Sequence, residues 1–332
     1  MPGVTRRTAL ICLAVVASGT ACGGRASTLD PGGAGAERIS HLTWLLIAVM
    51  AVVYLVVLAV LAQVIRRRAE RRTSGGTGWA LVGVVAGGIV LPVVVITALA
   101  IVSVRSLAGL TRAEATSLAV DVVAQQYWWE FRYREGDGEP LITANELHLP
   151  VGRRVQLRLH STDVIHSFWV PALQGKLDLV PGKVNVTWVR ADRAGTYHGQ
   201  CAEYCGIQHA LMRMVVVAQE PSDFAQWLAR QRQPAAIGTD ERARHAEQLF
   251  LVHCASCHRV RGTSAFFGTL GPDLTHVASR STLAAGTLPN DTRSLAGWIA
   301  DPQRLKPGNL MPRVPLGAEA LQAIVDYVNG LR

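Results

Sequence analysis

The chain has 332 residues, 49% of them hydrophobic, and a formal net charge of +9. This length allows two or three domains, and so apolar a composition predicts membrane-spanning segments rather than a purely soluble protein. The charge does not indicate a nucleic-acid partner, because residues 1–104 carry nine basic and three acidic side chains whereas residues 105–220 carry twelve of each. An excess of basic residues beside apolar segments is typical of membrane orientation.

The N-terminus has the layout of a secretory signal over residues 1–22. Arg6 and Arg7 precede an apolar run, which is followed by small residues and Cys22. A cysteine at this place resembles a bacterial lipoprotein signal, in which Cys22 becomes the lipidated N-terminus, although Gly19 stands where that pattern usually has a leucine-like residue. Lipidation, ordinary cleavage and an uncleaved anchor remain open, and the mature chain is expected to be exported.

Two uncharged stretches, 42–65 and 79–104, follow. Each exceeds the roughly 20 helical residues needed to cross a bilayer, whereas buried core helices are shorter and rarely wholly uncharged. The sequence therefore predicts a two-helix transmembrane hairpin over residues 39–106, embedded in the lipid of a bacterial cell membrane. The segment between the stretches carries Arg66, Arg67, Arg68, Arg71 and Arg72. By the positive-inside rule it faces the cytoplasm, so the rest of the chain is extracytoplasmic.

The pattern changes twice after the hairpin. Residues 112–232 contain short alternating runs, such as Val155, Leu157 and Leu159, separated by turn signals, which predicts an antiparallel β-sandwich. After a linker at 233–238, helical periodicity over 240–252 and 318–329 predicts a small α-helical domain at 239–332.

A cluster of soft metal ligands lies within the predicted sandwich. Cys201, Cys205, His209 and Met212 fall within twelve residues, and this donor set favours copper. Two cysteines can bridge two metal ions with both thiolates, whereas a single-copper electron-transfer site uses one cysteine. Sharing one electron hole over two ions should keep bond lengths nearly constant, which suits fast electron transfer. The alternatives are a zinc site or a disulfide.

A second motif lies in the helical domain. Cys254, Cys257 and His258 have the spacing that lets two thiols bond to haem while the imidazole binds the iron, although a redox or zinc pair has the same pattern. Met311 is the single methionine after the motif and the first candidate for the second axial ligand, and His276 is the rival.

The loop from Cys201 to Met212 closely resembles the CuA loop of cytochrome c oxidase subunit II, and residues 163–171 resemble the segment of that family that supplies a further histidine. The resemblance implies a dinuclear CuA centre, with Glu203 contributing its backbone carbonyl as a ligand and its side chain to a magnesium ion at the subunit I boundary. The implied copper ligands are His166, Cys201, Glu203, Cys205, His209 and Met212.

The C-terminal domain resembles the class I cytochromes c. Gly271–Leu274 resembles their loop that orients the proximal histidine, and Phe250 and Tyr327 resemble their contact between terminal helices, which favours Met311 as the ligand. The order of the hairpin, the sandwich and the helical domain resembles that of the oxidase subunit II that is fused to a cytochrome c. It implies a multidomain fold: an α-helical transmembrane hairpin, an all-β cupredoxin-like Greek-key sandwich and an all-α class I cytochrome c domain.

The resemblance implies the electron-entry subunit of a respiratory terminal oxidase, a cytochrome-c oxidase. Electrons would pass from a donor through haem c and CuA to subunit I, which carries haem a and the haem-copper site where oxygen is reduced to water. Subunits I and III are the implied partners, and cytochrome c or a quinol–cytochrome c reductase is the implied donor.

Two features depart from the family pattern. In the aromatic segment where electrons enter from soluble cytochrome c, Tyr127, beside Trp128, stands where most members have tryptophan. We hypothesise that the tethered haem domain has altered this entry route. In addition, residues 75–91 lack the acidic residue that many relatives carry near a proton channel, which leaves a role in proton uptake open.

Other functions share parts of this pattern. The equivalent subunit of a CuA-containing nitric oxide reductase stays open, because the reaction belongs to the partner subunit. A membrane-tethered copper-binding or assembly protein has little use for haem c, and the subunit II of a quinol oxidase normally lacks the copper ligands.

Overall fold

The computed structural model describes residues 26–70, 77–111, 118–134 and 138–332. The expected signal, with Cys22, and two of the arginines between the apolar stretches, Arg71 and Arg72, lie outside the described residues. The chain forms two compact units, one comprising Glu37–Arg112 and the other comprising the residues up to Ala36 together with Ala113–Arg332.

The smaller unit consists of long apolar helices. Helix α1 spans Ala34–Glu70, and α2 (Thr77–Val85), a π-helical turn (Ala86–Val90) and α3 (Leu91–Thr111) follow one another directly. The π-helical turn lies just before Pro92, which has no N–H to continue the α-helical bonding. Two segments, Ala34–Arg66 and Leu81–Leu110, are long and apolar enough to cross a membrane, and their side chains are almost all exposed.

The larger unit begins with a sandwich of two five-stranded sheets. The first five strands are β1 (Ala119–Gln125), β2 (Trp128–Arg134), β3 (Leu141–Ala144), β4 (Glu146–Pro150) and β5 (Val155–Ser161). The others are β6 (His166–Trp169), β7 (Leu177–Leu179), β8 (Asn185–Val189), β9 (Gly195–Cys201) and β10 (Arg213–Gln219). One sheet has the order β3-β2-β1-β5-β8 and the other the order β4-β10-β9-β6-β7.

The expectation of a wholly antiparallel sandwich is wrong for two strand pairs. Strands β1 and β5 are parallel, as are β4 and β10, while the other paired strands are antiparallel. Parallel strands need a long connection, and here each pair is separated in the chain by several intervening strands, as Greek-key crossing requires.

The alternation predicted for β5 is present and defines the inner face of its sheet. Val155, Leu157 and Leu159 are fully buried, whereas the intervening Gln156 and Arg158 are partly exposed. Burying one face of each sheet against the other is what holds such a sandwich together.

Residues 30–36, near the N-terminal end of the described chain, form a strap that is bound to the sandwich. The N–H of Gly32 donates to the carbonyl of Ala172 (2.7 Å), and the N–H of Ala36 donates to that of Leu173 (3.0 Å). A Cβ atom on Gly33 would meet the backbone carbonyl of Arg190, so the close approach requires glycine there. These contacts fix the segment that leads into α1.

Helices dominate the rest of the larger unit. Helix α4 (Pro221–Arg232) packs Phe224 and Trp227 on the sandwich core. The C-terminal domain contains α5 (Glu241–His253), two short strands, β11 (Thr282–Leu283) and β12 (Leu288–Pro289), and then α6 (Thr292–Ala300), α7 (Pro302–Leu305) and α8 (Ala318–Gly330).

The predicted contact between the terminal helices of this domain is confirmed. The rings of Phe250, in α5, and Tyr327, in α8, lie 5.1 Å apart between centroids, and both residues are buried in the domain core. Asp240 caps the start of α5 by accepting a hydrogen bond from the N–H of Ala243 (2.7 Å). The helix pair therefore forms the frame of the domain.

We expect Phe250→Ala to lower the free energy of unfolding of the C-terminal domain by about 3–5 kcal/mol, because it removes a buried ring and leaves a cavity. Thermal unfolding followed by circular dichroism measures the change. Val252→Ala, on the same helix with 75% of the residue exposed, is the control and should change the stability little. Equal losses in the two variants would contradict the assigned core.

Candidate metal centre and haem site

The candidate copper ligands converge at one end of the sandwich. His166 begins β6, Cys201 ends β9, and the loop that returns to β10 carries Cys205, His209 and Met212. Because Phe168 pairs with Cys201 across the β6–β9 ladder, His166 is placed beside the loop. His166 and Met212 are fully buried, the two cysteines are nearly so, and His209 is half-buried.

The donor atoms lie within a small volume. The Sγ atoms of Cys201 and Cys205 are 3.9 Å apart, so the thiols are free, since a disulfide bond is about 2.05 Å long. Each sulfur has a histidine beside it: the Nδ1 atom of His166 is 3.8 Å from Cys201 and that of His209 is 3.7 Å from Cys205.

A weaker donor completes the surroundings of each sulfur. The backbone oxygen of Glu203 is 3.2 Å from the Sγ of Cys201, and the Sδ of Met212 is 3.9 Å from that of Cys205. Each of the two thiols thus has one histidine and one weak donor beside it. Two thiolate-bridged copper ions could use all six of these donors. Zinc in a closed site takes four ligands and would leave two of these six unused.

The two sulfur atoms affect each other's protonation. The hydrogen bond between them lowers the pKa of Cys201, and the same interaction, together with burial, raises the pKa of Cys205. Burial alone would lower the pKa of His166, but its contacts with Cys201 and Asp163 raise it overall. A pocket that already stabilises a thiolate away from water is suited to a soft cation.

Asp163 and Gln126 support this centre, although no role was predicted for them from the sequence. An Oδ1 atom of Asp163 lies 2.8 Å from the Nε2 of His166, and its Oδ2 accepts a hydrogen bond from the N–H of Gln126 (2.6 Å). The side-chain amide of Gln126 donates to the carbonyl of Cys205 (2.6 Å). A carboxylate behind a ligating histidine fixes its tautomer and orientation. The signal available in the sequence was an acidic residue three positions before the histidine.

Tyr127 and Trp128 take different positions beside the loop. The hydroxyl of Tyr127 lies against Gly206, which has φ +127° and directly follows Cys205. Trp128 is only 8% exposed and is packed with Ala144 and with Ala285 of the C-terminal domain. Trp128, in the segment where electron entry was expected, is thus covered by the C-terminal domain.

The structure adds no support for magnesium at Glu203. The Glu203 side chain is exposed. Among the described residues, one group of three or more acidic, histidine or cysteine side chains could hold a metal ion, and it consists of His166, Cys201 and Cys205.

The candidate haem-binding residues follow α5. Cys254 and Cys257 are free thiols, and the Nδ1–H of His258 donates to the carbonyl of Pro272 (2.9 Å). This bond leaves Nε2 as an unprotonated donor for iron, and burial lowers the pKa of His258, which keeps the ring neutral. A Cβ atom on Gly271 would come within 2.6 Å of the His258 ring, so the orienting loop needs glycine. These residues fit a covalently bound haem.

The two rivals for the second axial position differ in their surroundings. The Nε2 of His276, which is 5% exposed, donates to the carbonyl of Gln233 (3.0 Å) and is therefore engaged elsewhere. Met311 is held in an ordered loop, because the side-chain amide of Gln303 donates to its carbonyl (2.7 Å) and its own N–H donates to Asn309 (2.8 Å). These contacts leave Met311 as the better candidate of the two.

The two candidate ligand loops are in contact. The side-chain amide of Gln208, next to His209, donates to the carbonyl of Pro307, and the Nζ of Lys306 donates to the carbonyl of Leu211 (3.0 Å), next to Met212. Gly308, three residues before Met311, lies against Ile207. The loop from Cys201 to Met212 (the copper loop) and the loop from Lys306 to Met311 (the Met311 loop) thus meet directly within the larger unit.

Known proteins share both domains. The family model described as cytochrome C oxidase subunit II, periplasmic domain, matches residues 121–219, and the model described as cytochrome c matches residues 243–332. Cytochrome c oxidase subunit 2 of Alkalihalophilus pseudofirmus is 33% identical over 317 residues, which cover 92% of this chain and 91% of that one. The chain belongs to the cytochrome c oxidase subunit II family.

A second relative gives the same result. Cytochrome c oxidase subunit 2 of Bacillus subtilis is 30% identical over 330 residues, covering 92% of each chain. The periplasmic domain of subunit II of the cytochrome oxidase of Bradyrhizobium japonicum is 28% identical, with a TM-score of 0.34, and covers 36% of this chain and 97% of that one. The predicted family, fold class and enzyme class are confirmed, and the two domains of this subunit II imply copper and haem c.

We expect Asp163→Asn to weaken copper binding about 10–100-fold, because the carboxylate that orients His166 is lost. Competition with a calibrated chelator, using the full chain in detergent, measures the affinity. Asp178→Asn removes the same charge from the neighbouring strand β7 and should leave the affinity unchanged. If the two variants bind copper equally well, Asp163 does not support the centre.

We expect Met311→Leu to lower the haem reduction potential and to abolish the spectral signature of a methionine ligand, since methionine ligation raises the potential. His276→Gln keeps a side-chain N–H for the carbonyl of Gln233 and should change neither property. Redox titration with magnetic circular dichroism measures both. A wild-type spectrum that lacks the methionine signature and changes in His276→Gln but not in Met311→Leu would assign the position to the histidine.

Proposed function

We propose that this subunit II is the electron-entry subunit of a respiratory oxidase and passes electrons from a donor through haem c to a dinuclear CuA centre and on to subunit I, where oxygen is reduced to water. The contact between the copper loop and the Met311 loop carries the proposal. It brings a buried two-thiol site and a haem-binding domain together in one folded unit, as intramolecular electron transfer requires.

The proposal assigns the ligands to two groups. The copper ligands are His166, Cys201, the carbonyl of Glu203, Cys205, His209 and Met212. The haem is held by Cys254, Cys257, His258 and Met311. When bound, the two groups each supply a site that gains and loses one electron. The chain's own part is to hold the donor atoms in fixed positions and, at the copper site, to exclude water from the thiols.

The division of the chain follows from these assignments. Residues 39–106 anchor the subunit, residues 112–232 form the copper domain, and residues 239–332 form the cytochrome c domain. The arginines between the apolar segments support a cytoplasmic position for that connection and an extracytoplasmic position for both redox domains. A haem domain that covers Trp128 supports electron entry through the haem rather than through the aromatic segment at Tyr127 and Trp128.

The proposed partners are the other subunits of the oxidase and an electron donor. Cytochrome c or a quinol–cytochrome c reductase supplies the electrons, and subunit I receives them. Subunit III completes the complex.

We expect the full chain, purified with haem attached and loaded with copper, to contain two copper atoms for each haem iron. Its EPR spectrum should show one unpaired electron shared by two coppers, because two thiolates can bridge both ions. Metal analysis and EPR test this directly, and His209→Ala should disrupt the signal while leaving the haem attached. A single-copper signal, or zinc in place of copper, would contradict the proposal.

The gas that finally accepts the electrons is identified with the assembled complex. Purified enzyme that contains this chain should consume oxygen when the haem is reduced. Reduction of nitric oxide without oxygen consumption would assign the chain to a nitric oxide reductase instead.

A further inference from the structure

Lys306 is a buried cation at the contact between the two ligand loops. Only 2% of the residue is exposed, and its Nζ donates to the carbonyls of Leu211 and Ala284, each at 3.0 Å. An ammonium group loses much hydration energy on burial unless it is hydrogen-bonded. Burial, with a smaller contribution from Arg213, lowers the pKa of Lys306 to about 8. Lysine is rarely buried to this extent unless it is paired, so the hydrogen bonds of this ammonium indicate a specific role.

The two carbonyls belong to different domains. Leu211 precedes the copper ligand Met212, whereas Ala284 lies in the turn between β11 and β12 of the haem domain. Lys306 itself begins the loop that leads to Met311. One ammonium therefore connects three segments: the copper loop, the Met311 loop and the β11–β12 turn.

The β11–β12 turn is shaped for this contact. Ala284 and Ala285 have φ values of 52° and 56°, a left-handed conformation that is unfavourable for alanine. Both carbonyls are used at the interface: that of Ala284 by Lys306, and that of Ala285 by the N–H of Arg213 (3.1 Å), directly after the copper loop. A strained turn of this kind persists where surrounding contacts determine its conformation.

A further interdomain contact lies away from the copper loop. Glu146, in β4, accepts hydrogen bonds from the N–H (2.9 Å) and the hydroxyl (2.6 Å) of Ser281. The backbone N–H groups of Arg213 and Ser281 therefore report on the docking of the two domains at two separate points.

We propose that Lys306 is a positioning residue that locks the haem domain onto the copper loop in the orientation used for electron transfer. The proposal rests on the proposed function. The ammonium suits the task because it offers three N–H donors on a flexible stem, so that it can satisfy two buried carbonyls from different domains at once. Without it, both carbonyls lose this charged donor inside the interface.

The first test measures docking without reference to activity. Lys306→Met keeps the apolar stem, and Arg304→Met, at an exposed position two residues earlier, removes the same charge as a matched control. In the full chain, amide hydrogen exchange at Arg213 and Ser281 should be faster in Lys306→Met by about tenfold, corresponding to the loss of hydrogen bonds to a charged donor. Exchange at both should be unchanged in Arg304→Met. Unchanged exchange in Lys306→Met would overturn the inference.

The second test measures electron transfer in the same proteins, loaded with haem and copper. After rapid reduction of the haem, transfer to copper should be slower in Lys306→Met and should become sensitive to solvent viscosity, because the loosened domain must return to its docked position. The haem and copper spectra should stay unchanged. A rate equal to that of the wild type, without viscosity dependence, would overturn the inference.

The outcomes separate the two proposals. If the wild-type chain itself shows no transfer between haem and copper, the proposed function fails, while hydrogen exchange still decides whether Lys306 locks the domains. If Lys306→Met does not fold, Lys306→Gln, which keeps an N–H donor but loses the charge, serves in both experiments and should give an intermediate change.

Discussion

The loop from Cys201 to Met212 has only one short helical turn of its own, so the positions of its donor atoms depend on the strands that it joins. Strands β9 and β10 fix its two ends, and the β6–β9 ladder places His166 against it. Asp163 and Gln126 then tie the histidine and the loop backbone to each other. Because the donors are held from several directions, their distances can stay nearly constant when the charge of a bound metal changes, and the cost of reorganisation stays small.

Much of this arrangement could be predicted from local sequence. The uncharged stretches predicted the two long apolar helical segments, the alternation at Val155–Leu159 predicted a buried strand face, and the periodicity over 240–252 predicted α5. The donor types around Cys201 were enough to favour copper. These features could be recognised because each depends on residues that are close together in the chain.

The rest depends on pairs that are distant in the chain and leave no periodic signal. The parallel pairing of β1 with β5, the carboxylate behind His166 and the covering of Trp128 by Ala285 all follow from topology rather than from local pattern. The bonds of Lys306 are of the same kind, since 95 residues separate it from Leu211. The sequence therefore predicted which residues could bind the cofactors, but not which neighbours hold them or how the two domains meet.

The strap at residues 30–36 has a consequence for the order of events during synthesis. The strap ends within the first turn of α1 and precedes α3, whereas its partners, Ala172, Leu173 and Arg190, follow both helices by more than half the length of the sandwich. A ribosome finishes the strap long before those partners exist, and contacts between segments so far apart form late. The strap must therefore wait, undocked, until both helices and the first eight strands have been made, so the nascent chain carries an unpaired segment through most of the synthesis of the sandwich.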